Sequence, residues 1–287
     1  MQRWSRSLAT LAVLAALAGS AAPAAAQTLL MLTDANGSLS TGEATRKSQL
    51  EQWGYTVTTL WDGASQAAYD AAVAQADAVV IPSTVTDWEV GYKLRTCSKG
   101  IVSEERYLDD DLGLSTQPGW DSSYSSISIT NNSHFITSPF STGNLTIFTS
   151  SQPMALMNPT HAAGLVTLAE QHFGNKALAV VEKGGTLANT YNGNSTAAGR
   201  RVHLPWGGDT FNIGALNSNG LTLVHRAIVW AIGNPLLLHL KLDEAAGTTA
   251  ADSSIFARHG AITSGDARVL GPLHNRDMLY GFRTDEI

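Results

Sequence analysis

Glu104 and Glu105 follow directly on the apolar run Gly100-Ile-Val-Ser103. If that run is a strand of a parallel sheet, the pair stands at the edge where open α/β folds bind their ligands. Adjacent carboxylates there could hold a cation or act as acid and base. Side chains leaving a strand alternate in direction, so only one of the two can face a given pocket. The competing assignment is structural: one carboxylate caps the next helix, and the other is solvated or pairs with Arg106. Asp34 and Asn36, in the turn cluster Asp34-Ala-Asn-Gly37, are candidate ligand contacts at the same edge. So are His203 and Trp206 in Arg201-Val-His-Leu-Pro-Trp-Gly207, with a structural histidine inside the strand as the competing assignment for His203.

The other reactive side chains form weaker patterns. His134, His161, His172, His203, His225, His239, His259 and His274 are scattered, with no H-x-H, no H-E-x-x-H and no paired cysteines. No metal site is therefore expected. Asp109-Asp110-Asp111 lacks the Asp/Asn/Gly alternation of an oxygen-ligand loop and reads as a solvated helix face. Cys97, the single cysteine, lies near a helix end, where the dipole opposes a thiolate even though Arg95 and Lys99 favour one. It reads as a small, partly buried residue. No serine occupies a recognisable elbow, so a Ser-His-Asp triad is unsupported. Trp61, Trp120, Tyr124, Tyr191 and Trp206 fall at strand ends or in polar loops, and aromatic faces beside Asp and Asn suit sugar rings. Trp53, Trp88 and Trp230 are expected in the core.

These residues need a frame. Short apolar runs alternate with amphipathic stretches: strands over Thr28–Thr33, Tyr55–Leu60, Asp77–Pro82 and Gly100–Ser103, and helices over Glu43–Trp53, Ala64–Ala76 and Asp87–Cys97. That alternation predicts βαβ units, a parallel flavodoxin-like sheet with helices on both faces. Between Ser115 and Pro159, Ser, Thr, Asn and Gly dominate, with short strands such as Ser126–Thr130 and Leu145–Phe148, as in an elaborated sheet edge. Strands over Ala177–Glu182 and Arg201–Pro205 and a helix from Asn219 to Ile232 complete the unit. Gly233-Asn234-Pro235 stops that helix and marks a boundary.

The two ends differ from this middle. Arg3 and Arg6, the apolar run Leu8–Leu17 and Ala22-Pro-Ala-Ala-Ala-Gln27 describe a secretory signal peptide over 1–26, cleaved after Ala26. The apolar run is short of the roughly 20 residues of a membrane span. No later run reaches that length, so no membrane span is expected after signal removal. Loss of Arg3 and Arg6 takes the net charge from −6 to −8, which argues against nucleic acid or an anionic membrane as partner. One cysteine excludes an internal disulfide framework despite export.

At the C-terminal end, the apolar Leu236-Leu-Leu-His-Leu-Lys-Leu242 leads into Asp243-Glu244, a Gly-Thr-Thr turn, Asp252-Ser-Ser254 and His259-Gly260. This closely resembles the opening of LamG-like (concanavalin A-like) jelly rolls. Such sandwiches need on the order of 100 residues or more, so the resemblance implies a truncated module over 236–287, the first strands of an incomplete β-sandwich. Complete modules often bind carbohydrate and sometimes calcium; no other cofactor is implied.

Residues 27–233 resemble class I glutamine amidotransferase-like domains, and most nearly the trehalose-utilisation type. The resemblance rests on Leu29–Leu32, Val79–Pro82, Lys99–Glu105, Asn132-Ser-His-Phe-Ile-Thr137 with Phe135 in place of the usual proline, Arg200–Gly207 and Ala227-Ile-Val-Trp-Ala231. In that superfamily a thiol follows the strand that Lys99–Ser103 matches. Here Glu104 and Glu105 follow it, and a carboxylate cannot form the thioester of glutamine hydrolysis. The expectation is a secreted or periplasmic protein, non-catalytic, binding glycan or a cell-surface protein. The alternative is an extracellular carbohydrate-active enzyme using Glu104 or Glu105.

Overall fold

The structure, a computed structural model, describes residues 26–171, 174–208, 211–233, 249–250 and 260–261. Leu29, Leu30, Met31 and Leu32 of β1 (Thr28–Thr33) are fully buried, as are Val79 and Ile81 of β3 (Ala78–Ile81) and Ile101 and Val102 of β4 (Gly100–Ser103). Continuous apolar runs of this kind are strands covered on both faces. They form the centre of a nine-stranded sheet of order β2-β1-β3-β4-β13-β10-β9-β6-β7. Here β2 is Thr56–Trp61, β6 Ser126–Ile129, β7 Gly143–Thr146, β9 Leu165–Gln171, β10 Asn175–Val181 and β13 Arg201–His203.

The sheet is parallel only from β2 to β13. Every pairing from β13 through β10, β9 and β6 to β7 is antiparallel. The uniformly parallel expectation is corrected here: residues 172–174 join β9 to β10 directly, and so short a link cannot make the crossover that parallel strands need. Two small ladders lie beside the sheet. One pairs β5 (Trp120–Tyr124) with β8 (Gln152–Leu156), the other β11 (Thr186–Tyr191) with β12 (Asn194–Thr196).

Helices cover both faces of the parallel half. On one face, α1 (Thr41–Gln52) and α4 (Ser218–Ile232) bury Leu50, Leu223, Ala227 and Ile228 against Leu29, Met31, Val80 and Val102. On the other, α2 (Gln66–Ala74) and α3 (Asp87–Val90) bring Tyr69 and Val90 onto Leu30, Leu32, Val79 and Ile101. The start of α1 is a capping box: Ser40 Oγ accepts from Glu43 N, and the Glu43 carboxylate accepts from Ser40 N. α4 ends at Gly233, left-handed at φ 89°.

Gly100 lets α4 approach the sheet. A Cβ there would lie 2.1 Å from the Ala231 carbonyl oxygen. The expected helix Asp87–Cys97 is broken at Gly91, whose φ of 47° ends α3, and Gly91–Leu94 continues as a 3₁₀ turn. Residues 1–25, with the expected signal, lie outside the described residues. So does the stretch 236–287, expected to be a truncated LamG-like module, apart from an antiparallel pairing of Thr249–Ala250 with Gly260–Ala261.

Candidate functional site

The C-terminal ends of β1, β3, β4 and β13 gather on one edge, and there Glu104 and Glu105 diverge as alternation requires. Glu104 turns to the α1 face. Arg46 Nε donates to its Oε1 at 3.2 Å, and Arg46 Nη2 pairs with Oε2. Both side chains are 1% exposed. The Trp206 indole N–H is directed at the same carboxylate, outside strict hydrogen-bond geometry. Burial pushes the Glu104 carboxyl above its usual range; Arg46, Trp206 and the Ser83 backbone oppose that.

Glu105 serves the opposite side. Its Oε1 accepts from Tyr107 N at 2.9 Å and so caps the 3₁₀ turn Arg106–Leu108, with Arg106 Nη1 4.0 Å away. Ser103 Oγ is engaged in the same turn, 3.3 Å from both the Glu105 nitrogen and the Glu105 oxygen. The geometry gives this elbow no free nucleophile.

His203 lies in register with Ser103 on the neighbouring strand, and its Nδ1 is 2.9 Å from Asp109 Oδ1. Both residues are sealed in the interior. Burial raises the Asp109 carboxyl, and His203 opposes the rise. Asp109 is thus a buried partner of the sheet, and the solvated-face reading of Asp109-Asp110-Asp111 is corrected at that residue. Trp206, expected as a ligand contact, is fully buried between Phe148 and Phe211. Asp34 and Asn36 are exposed. Asp34 Oδ1 accepts from Thr86 Oγ1 at 3.2 Å, and Asp34 N donates to Glu43 Oε1 at 2.8 Å. Glu105, Asp34 and His203 therefore stand in three separate hydrogen-bonding environments and do not converge.

Sequence reasoning missed Arg46, Glu43 and Asp109. Ser40-Thr-Gly-Glu43 has the spacing of a capping box and could have located Glu43, with Arg46 three residues on. Nothing local signals Asp109. It also misplaced Trp88, which is 77% exposed on α3. Trp53 stacks on His225 and Trp230 is buried, as core aromatics do. Trp61, Tyr92, Tyr107 and Trp120 are also exposed. With Trp88, all lie on segments that leave, or run beside, the C-terminal ends of the parallel strands. Tyr191 stacks on Tyr92 with ring centroids 4.2 Å apart. Beside that stack, burial and then Asp110 push the Asp111 carboxyl up to about 6. Among the described residues, no group of three or more His, Cys, Asp and Glu is placed to hold a metal ion, and no helix is long and apolar enough to cross a membrane.

No family model and no curated protein matches the chain. Among solved structures, a GMP synthase component from Thermoplasma acidophilum is similar, at 8% identity and a TM-score of 0.41. The likeness covers 70% of this chain and 92% of that one. It is too distant to carry a family, activity or substrate to this chain.

Proposed function

We propose that this chain is an exported binding protein, non-catalytic at its strand-end site, that engages carbohydrate or cell-surface partners. On this reading residues 27–233 are a trehalose-utilisation-type, amidotransferase-like domain, residues 236–287 are a LamG-like module, and residues 1–26 direct export. One observation carries the non-catalytic part: every group at the elbow that could do chemistry is engaged internally, Glu104 by Arg46, Glu105 by the Tyr107 amide and Ser103 by Glu105. A general acid or base must reach its substrate, and these side chains are buried. What the same edge leaves exposed is aromatic and acidic.

The test is a paired assay on the secreted protein. A panel of immobilised polysaccharides and surface extracts is screened for retention, and ammonia release from glutamine and reducing-sugar release from glycans are followed alongside. Retention without turnover is the expected result. Turnover of either substrate that is lost in Glu104→Gln or Glu105→Gln would overturn the reading in favour of the enzyme.

A further inference from the structure

We infer that Trp88, Tyr107 and Trp120 form one contact surface for a neutral polysaccharide, an inference that rests on the binding function proposed above. The three side chains are 77%, 42% and 40% exposed. They stand on neighbouring segments. α3, which carries Trp88, packs on the Arg106–Leu108 turn, which carries Tyr107. Trp120 is held to that turn from both sides: Gly119 N donates to Arg106 O at 2.8 Å, and Asp121 Oδ2 pairs with Arg106 Nη2 at 3.1 Å. The segment of Trp120 is therefore adjacent to that of Tyr107, and the latter to α3. The Arg106 guanidinium covers one face of the Tyr107 ring, 4.1 Å from its centroid, and leaves the other for a ligand.

Three features select the occupant. Position comes first, since this is the edge where open α/β sheets take ligands. Composition is the second. Asp87, Glu89 and Asp121 alternate with the aromatics, whereas the core of a protein interface is depleted of charge. Aromatic faces interleaved with carboxylates match a sugar chain, whose C–H faces stack while its hydroxyls donate to the acids. Charge is the third. Arg106 and Asp121 neutralise each other, and Lys93, whose ammonium is turned to the Asp62 and Glu89 carbonyls, is outnumbered by Asp87 and Glu89. The surface is left acidic, which disfavours anionic polymers and points to a neutral one.

The experiment is affinity electrophoresis of the full chain through gels containing neutral glucans, mannans or xylans, with alginate and polygalacturonate as anionic comparators. Trp88→Ala, Tyr107→Ala and Trp120→Ala are run beside it, with melting curves confirming that each is folded. The expected result is retardation by a neutral polymer. It should weaken on the order of tenfold or more in Trp88→Ala and Trp120→Ala, as for truncation of a central aromatic anchor, and largely persist in Trp88→Tyr. Equal retardation of wild type and all three variants would overturn this surface while leaving the glycan-binding function intact. Preference for the anionic gels would overturn the neutral assignment. No retardation in any gel would overturn both this inference and the glycan part of the function. Self-association that shields Trp88, in the absence of sugar, would make the surface a contact between copies of the chain and overturn the inference.

Discussion

Glu104→Leu is expected to cost about 3–5 kcal/mol of stability, the penalty for removing one partner of a buried ion pair. The figure follows from what remains. The Arg46 guanidinium, 1% exposed, would lose its acceptors at Nε and Nη2, and Nη1 already has no partner among the described residues. The Phe211 ring, 5.7 Å from Cζ, stabilises a cation only weakly at that range. Arg46→Met should cost a similar amount, because it strands a carboxylate that burial already disfavours. The double variant Arg46→Met/Glu104→Leu should return to within about 1 kcal/mol of wild type, since apolar groups of similar volume can replace a buried pair. Urea denaturation of the four proteins closes a double-mutant cycle with a coupling energy of roughly 3 kcal/mol or more. Additive costs, or a Glu104→Leu loss below about 1 kcal/mol, would refute the assignment of Glu104 as the counter-charge of Arg46. The double variant serves the functional argument too: glycan retention should survive in it, because the pair is sealed away from the aromatic rim.

Two further outcomes follow from packing and titration. Gly100→Ala should destabilise the α/β unit by about 1–3 kcal/mol or prevent folding, because its Cβ would meet the backbone of Ala231 at 2.1 Å; a melting temperature equal to wild type would contradict the α4–β4 contact. Asp111 gains proton affinity on folding, its carboxyl rising from 3.8 to about 6. Its contribution to stability is therefore fully present below pH ~4 and lost as the pH rises through about 6. Asp111→Asn should accordingly be the more stable protein at pH ~8, by up to about 1 kcal/mol once its half-exposed position is discounted for screening. The advantage should vanish below pH ~4, and calorimetry that finds it constant from there to pH ~8 would reject the shift.

How much of this was legible in the sequence depends on the range of the interaction involved. β1, β3 and β4 could be read directly because they are covered on both faces, so every residue in their centres had to be apolar. The stop at Gly233 was legible because a left-handed cap requires glycine or a close substitute. The antiparallel half was not: Leu165–Gln171 and Asn175–Val181 carry strand composition, but strand direction is set by how they are connected and paired. The helix expected over Asp87–Cys97 failed at Gly91, where periodicity gave no sign of a φ of 47°. The fates of Glu104 and His203 were beyond reach, because Arg46 is 58 residues from the first and Asp109 is 94 from the second.

Those two long-range pairs share an edge with the exposed rim for a physical reason. Strand-end carboxylates and imidazoles that point into a packed layer must find partners or give up their charge, because desolvation is otherwise too costly. Glu104 does so with a guanidinium from α1, and His203 with the Asp109 carboxyl from the segment after β4. Each pairing ties the sheet to the layer above it and removes from water a group that could have acted on a substrate. Side chains carried outward by α3, the Arg106–Leu108 turn and β5 face no such requirement. An aromatic ring there loses nothing by staying in water except the burial it could gain, which a ligand of the kind proposed would supply. The ionisable groups of this edge are thus engaged in its interior, where they tie the layers of the fold together, and its aromatic groups stand at the surface, where the proposed binding can be tested.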